Sequence, residues 1–274
     1  MKVNIFLSLF FLFLLTISCE KVIDIDLNEA NPKPVFEAYM ENDSTCYVKA
    51  AWTSSYYDNS SSPAISNASM TISDQTGNSE SMLYQGNGIY KGTSLLGVIG
   101  NTYTLDVVLE GVTYTATSTM PPLTVIDSCS TQPLGNFFGG GGGPGSGNSK
   151  PKFWVFANYT DSVDYINYYA IRTSYYNEEN EYVTDYRISD DDLTDGLSTR
   201  TFTTFNRFES GDTVTIEFAS IDRVTHLYFK TLEDAISGAG FASAAPANPT
   251  NNFTNGALGY FGAWSKDREV FILP

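Results

Sequence analysis

TYTLDVVLEGVTYTATST, residues 102–119, decides the fold. Apolar or aromatic residues alternate with polar ones at Tyr103, Leu105 and Val107, and again at Tyr114 and Ala116, the period of a strand with one face buried. Between the two runs stands Glu110-Gly111, a two-residue linker of the kind that closes a tight hairpin. The same pattern of short alternating runs broken by turn residues extends on both sides. Toward the N-terminus it predicts strands at 34–40, 46–52, 68–73, 81–84 and 89–91, with Glu41-Asn42-Asp43-Ser44 and Asp74-Gln75-Thr76-Gly77 as turns. Seven or eight short strands in about 90 residues, with turn signals every 8 to 12, describe an immunoglobulin- or fibronectin-like β-sandwich over residues 33–122. Met120-Pro121-Pro122 closes it, and the cysteine-and-tryptophan signature of antibody domains is missing.

Residues 123–150 read as a connecting segment: a strand at 123–127, then a glycine tract from Gly139 to Gly147. That tract lacks the Lys and Ser/Thr of a phosphate-binding loop and no periodic helix follows, so it reads as a flexible loop. Strands resume over 151–274, at 153–159, 165–175, 182–188, 200–205 and 212–221. Between Asp222 and Gly238 the period changes. Val224, Leu227, Tyr228, Leu232, Ala235 and Ile236 recur at spacings of three and four, which predicts a helix with Asp222 as N-cap and Gly238 as C-cap. Strands at 257–264 and 268–273 end the chain. The expected fold class is mainly β, a sandwich followed by a second β-rich domain with one helix.

The N-terminus carries a different kind of signal. Lys2 precedes an apolar run from Val3 to Ile17, the layout of a secretory signal peptide and shorter than the roughly 20 residues that span a bilayer. Leu15-Thr16-Ile17-Ser18-Cys19 resembles a lipobox, with Thr16 where Leu is commoner. The expectation is a leader over 1–18, lipidation at Cys19, and a tether over 19–32 in which Val22, Ile23, Ile25 and Leu27 could form an edge strand. Once Cys19 is acylated, Cys46 and Cys129 remain, and in an oxidising compartment they either bridge or stand as separate buried thiols.

Composition bounds the partners. Acidic residues number 31 against 15 basic ones, a net charge of −16 that becomes one unit more negative when Lys2 leaves with the leader. Such a balance argues against nucleic acid and against a polybasic hold on anionic lipid. Aromatics make up 14% of the chain, which suits strands.

Chemistry-bearing residues are sparse. His226 is the only histidine, so neither a hydrolase triad nor a histidine-based metal site can be assembled; on the predicted helix it reads as a partly buried residue. Asp190-Asp191-Asp192 with Asp195-Gly196 could offer oxygen ligands to calcium, but the spacing does not match a twelve-residue calcium loop, and a solvated acidic turn is the plainer reading. Asp161 and Asp164 are read in the same way. No pair of carboxylates stands out as acid and base for glycoside hydrolysis. Tyr56, Tyr57, Trp154, Tyr175, Tyr176 and Trp264 could make a sugar-stacking platform, though aromatics in strands usually pack in cores. Tyr56-Tyr57, in a Ser/Asn-rich loop, are the candidates for ligand or partner contact. The reading includes no catalytic residue, metal or cofactor.

Cys19-Glu20-Lys21-Val22-Ile23-Asp24-Ile25-Asp26-Leu27, Lys33-Pro34-Val35-Phe36-Glu37-Ala38, Gly88-Ile89-Tyr90 and Ala257-Leu258-Gly259-Tyr260-Phe261-Gly262-Ala263-Trp264-Ser265, in this order and spacing, resemble a family of Bacteroidetes lipoproteins known as domain of unknown function 4249. The resemblance covers nearly the whole chain after the leader; the glycine tract departs from it. It implies an outer-membrane lipoprotein, encoded beside a TonB-dependent transporter, with no catalytic residues to carry over. The resulting expectation is a non-enzymatic accessory to such a transporter, in ligand capture or complex assembly. The alternatives are a glycan-binding or glycan-degrading surface lipoprotein, or a structural adhesin.

Overall fold

The computed structural model describes residues 31–55, 61–134, 151–163, 166–192, 195–237 and 248–274. The central hairpin forms where the alternation places it. Thr102–Leu109 and Val112–Thr119 pair antiparallel from Thr102↔Thr119 to Leu109↔Val112. Glu110 (φ 51°) and Gly111 (φ 80°) both take left-handed backbone, which a two-residue type I′ turn requires. Tyr103, Leu105, Val107 and Leu109 all point into the core with at most 1% exposure.

In chain order these two strands are β7 and β8. Before them come β1 (Pro34–Glu41), β2 (Thr45–Trp52), β3 (Ser69–Asp74), β4 (Ser79–Ser81), β5 (Leu83–Gly86) and β6 (Ile89–Leu96). After them come β9 (Ile126–Pro133), β10 (Phe153–Thr160), β11 (Tyr168–Tyr176), β12 (Tyr182–Asp190), β13 (Ser198–Phe202), β14 (Thr213–Ile221), helix α1 (Arg223–Ser237) and β15 (Leu258–Ile272). They build an eight-stranded sheet of order β12-β11-β14-β15-β1-β2-β6-β5, faced at one end by β4-β3-β7-β8 and at the other by β13-β10-β9. The mainly β expectation holds, with one helix among the described residues.

Two expectations are corrected. The closing strands at 257–264 and 268–273 are one strand of 15 residues. Its first half pairs in parallel with β1, from Val35↔Leu258 to Glu41↔Trp264, and its second half pairs antiparallel with β14, from Ser220↔Ser265 to Thr213↔Ile272. The polar stretch Ser265-Lys266-Asp267 marks a change of neighbour, not a turn. In consequence the boundary between 33–122 and 151–274 is not a break in the fold. Residues 32–274 form one compact unit, because β15 lies between β1 and β14 in a single sheet.

Two cores nevertheless survive on either side of that join. The first packs Phe36, Ala38, Met40, Val48 and Ala50 against Ile72, Leu105 and Val107, and receives Phe261 and Ala263 from β15. The second packs Val155, Ala157 and Tyr159 of β10 against Tyr169, Ile171, Ile216 and Phe218 of the long sheet. Tyr159 meets Phe218 with ring centroids 4.6 Å apart. Both are sandwich cores in which alternate residues of facing sheets interdigitate. The edge of β8 is covered by the segment before β15: Thr254 N–H donates to Thr115 O (3.0 Å), and the Asn252 and Asn255 side-chain amides donate to Thr117 O and Thr113 O.

Helix α1 lies on the opposite face of the long sheet. Asp222 caps it, its Oδ1 accepting the Thr225 N–H at 2.8 Å. The other carboxylate oxygen accepts the Ser118 hydroxyl (2.6 Å), and Ser118 Oγ accepts the Ala263 N–H (2.7 Å), so the cap also ties the helix to β8 and β15. The buried face differs from the predicted one. Tyr228, Phe229 and Leu232 pack on Ala170, Ala219, Tyr260 and Trp264, whereas Ile236 is 71% exposed. Gly262 makes the approach feasible: a Cβ there would lie 2.6 Å from Thr225 Oγ1 and 2.3 Å from Trp264 Nε1. Gly238 lies outside the described residues.

Candidate functional site

A concavity that gathers polar groups lies at the open end of β2. Lys49 to Trp52 form its floor, Ser61 to Ala64 one wall, and Asn87, at the tip of the β5–β6 turn, another; its volume is about 750 Å³. That falls within the roughly 300–1,000 Å³ of small-ligand sites. Each wall is fixed to the floor by backbone bonds: Trp52 N–H donates to Pro63 O (2.8 Å), Ile65 N–H to Ala50 O (3.0 Å) and Ala50 N–H to Gly88 O (2.8 Å). Asn87 sits in left-handed backbone (φ 50°), a conformation Asn tolerates better than most residues. Trp52 is half-buried and packs against the first core. Across the β1–β2 pair Glu37 stands opposite Lys49, so the mouth carries both signs of charge on one sheet face.

Tyr56 and Tyr57, the loop aromatics expected to contact a ligand or partner, lie outside the described residues. Ser54, Ser61 and Ser62 line the cleft. The sequence signal missed Trp52, Lys49 and Asn87, because a strand-end Trp and a turn Asn carry no motif.

The remaining aromatic candidates do not form a platform. Trp154, Tyr175 and Trp264 are buried, and Tyr176, 65% exposed, meets Tyr182 edge-on at 5.3 Å. His226 is buried and stacks on Tyr168 at 4.7 Å, with Nε2 4.0 Å from an Asp190 carboxylate oxygen. Burial lowers its pKa, the nearby Asp190 opposing, so the ring is neutral at pH 7.

The acidic turn is not simply solvated. Asp161 and Asp191 are buried, and with the exposed Asp195 their carboxylate oxygens come within 4.8 Å of one another. Asp161 accepts the Tyr169 hydroxyl and the Gly196 N–H (3.0 Å), while Asp191 accepts the Asn167 N–H (2.8 Å). These bonds join the loop before β11 to the loop before β13, a structural task that accounts for the buried carboxylates. Calcium takes six to eight oxygen ligands, more than three carboxylates holding one another's loops supply. Asp164 lies outside the described residues.

Cys46 and Cys129 are free thiols, the first wholly buried in the first core and the second half-buried against the second. The bridge left open by the sequence is not formed. Burial pushes both thiols up, Cys129 to about 11. Cys19 and the glycine tract lie outside the described residues, and among those described no helix is long and apolar enough to cross a membrane.

No curated protein matches the chain. The profile of one family, described as domain of unknown function (DUF4249), matches residues 20–269, which takes in both sandwiches, the cleft and nearly all of β15. The chain belongs to that family.

Proposed function

We propose that the protein is a non-catalytic lipoprotein of the outer membrane, held by acyl chains on Cys19, that serves a TonB-dependent transporter in ligand capture or complex assembly. The observation that carries this reading is Leu15-Thr16-Ile17-Ser18-Cys19 at the end of an apolar leader, a short tether ahead of β1. A diacylglycerol supplies two chains, the number that stable anchoring takes, since one alone binds only marginally. Confinement to a surface raises the effective concentration of a captured ligand near a neighbouring pore, so modest affinity suffices. The cleft beside β2 supplies the place for such a ligand. The lone histidine, committed to Tyr168, leaves no general base of that type near it.

Two measurements test this. Cys19→Ala is expected to move the protein from the membrane to the soluble fraction; an unchanged distribution defeats the anchor. Affinity purification of the tagged full-length protein from solubilised membranes is expected to bring down a large β-barrel. Recovery of a clean monomer counts against the accessory role.

A further inference from the structure

We infer that two copies of the protein join through their β12 edges, paired antiparallel about a two-fold axis at Tyr186, independently of the role proposed above. The first ground is the contrast between the two edges of the long sheet. At one end β5 is four residues long, and its register with β6 shifts between Tyr84 and Gly86. At the other end β12 runs for nine residues in unbroken register with β11, from Tyr176↔Tyr182 to Tyr168↔Asp190, and no strand pairs with its far side. It contains no Pro, Gly or Lys. Short length, bulges, Pro and Lys are what keep edges from pairing, so β5 is protected and β12 offers its backbone to another strand.

The second ground is what flanks the edge. Tyr186 is the register partner of Arg172, and alternation puts Tyr182 on the same side of the sheet. These two rings are 61% and 66% exposed. On the other side of β12, Phe205 lies against the Arg187 guanidinium and is 74% exposed. Three rings this open present about 400 Å² in each copy, about half of what each partner contributes to a stable complex, and the strand edge adds to it.

The third ground is charge, and it selects the occupant. Asp185 Oδ2 accepts the Tyr175 hydroxyl (3.0 Å), the Asn206 amide (2.7 Å) and the Thr204 hydroxyl, while Oδ1 has no hydrogen bond among the described residues. Arg187 stands 4.4 Å from the centre of the Phe205 ring; among the described residues it has no ion pair, and its Nη1 has no hydrogen-bond partner. An uncharged strand laid on this edge would bury that cation further without a carboxylate, which is costly. A second copy avoids this. In an antiparallel pair centred on Tyr186, Arg187 of each copy stands opposite the partner's Asp185, and the two Tyr186 side chains meet across the axis. The chain's charge of −16 opposes association at long range, but it is screened beyond about 8 Å at physiological salt, whereas the contact itself sets opposite charges face to face.

The test uses the full-length lipidated protein, first in membranes and then solubilised. Tyr186→Cys places two thiols directly opposite, where facing Cα atoms stand about 4.5–5.5 Å apart, within the span of a disulfide. Mild oxidation of membranes is expected to give a covalent dimer in denaturing electrophoresis. Tyr182→Cys, whose two copies would be offset by roughly 27 Å along the strands, should give none, and neither should the wild type. By light scattering, the solubilised wild type is expected to have twice the protein mass of Tyr186→Lys, which sets two cations across the axis at an exposed position. Arg187→Asp, facing the partner's Asp185, should also be monomeric. A wild type of monomer mass, equal cross-linking by Tyr182→Cys and Tyr186→Cys, or a dimer that persists in Tyr186→Lys overturns the inference. A cross-link from Tyr186→Cys to a different polypeptide, with no covalent dimer, assigns the edge to a foreign strand and overturns it too.

Discussion

Glu41 of β1 and Arg172 of β11, 131 residues apart in sequence, meet at 2.9 Å on the outer face of the eight-stranded sheet. Arg172 also bonds Glu217 (2.7 Å), and Lys266 reaches both carboxylates, at 2.7 Å to Glu41 and 2.9 Å to Glu217. Each cation therefore has two acids and each acid two cations, on four strands, at the place where β15 changes partner. All four side chains are mostly buried, at 12–22% exposure, so solvent screens them less than an ordinary surface pair. Glu41→Gln would leave two cations sharing one carboxylate. A loss of about 2 kcal/mol in urea unfolding is expected, the scale of hydrogen bonds to charged groups. A double-mutant cycle with Arg172→Gln should give a coupling above about 0.5 kcal/mol; strict additivity would mean the contact contributes nothing.

The long sheet itself was not legible in the chain. Local alternation located β7, β8, β1, β2, β3, β10, β12 and β14 to within a residue or two, because their periodicity reflects a face buried by facing strands. The pairing of β1 with β15 spans more than two hundred residues and leaves no local trace, and Ser265-Lys266-Asp267 separates two expected strands because its polarity serves the ion network and Ile126. For the helix, existence and cap followed from sequence. Its buried face did not, since His226 and Phe229 are held by ring contacts with Tyr168 and Tyr260 that no periodicity encodes. The acidic residues near 161 and 191–195 were each visible, while their convergence was not, because it depends on where two loops close.

Two glycines separate backbone strain from close packing. Gly111 has φ 80° with nothing within 4 Å of the place a Cβ would occupy, so Gly111→Ala costs only the left-handed backbone, about 1 kcal/mol. Gly259 has φ 99°, and a Cβ there would lie 2.1 Å from Phe36 O, a backbone atom in the β1–β15 pair. Gly259→Ala is expected to cost well above the roughly 1–3 kcal/mol of backbone strain alone and to lower the thermal midpoint far more than Gly111→Ala. Equal shifts in calorimetry would refute the close approach of these two strands.

Glu80 of the short strand β4 gives the fold a dependence on acid. Burial works against its ionisation but is outweighed by hydrogen bonds from the Thr93 and Ser94 hydroxyls and the Thr93 and Leu95 N–H groups, which hold the carboxyl at about 2 against an ordinary 4.5. The folded value lies below the unfolded one, so the contribution is fully present above about pH 4.5 and disappears as pH falls toward 2. The group is half-buried, and the remaining contact with solvent reduces the effect to about 1 kcal/mol. Subtracting the stability of Glu80→Gln from wild type at each pH should give a difference that shrinks across that window; a flat difference would show that the hydroxyl cradle does not favour the charged form.

The cysteines supply a count that reports on both the fold and the anchor. Cys46 is wholly buried, and Cys129 with its thiol at about 11 keeps only about one thiolate in a thousand at pH 8, against roughly a quarter for an ordinary thiol. A thiol reagent is therefore expected to react slowly with the native protein at pH 8 and fully once it is unfolded in denaturant. The chain holds three cysteines, of which Cys46 and Cys129 are free in the fold. Two reacting thiols in the unfolded protein correspond to a modified Cys19 together with separate Cys46 and Cys129. Three would mean that Cys19 carries no lipid, and the anchor would fail while the fold stood. None, or a single one that rises on prior reduction, would mean that Cys46 and Cys129 are bridged, contrary to their standing as free thiols in two different cores.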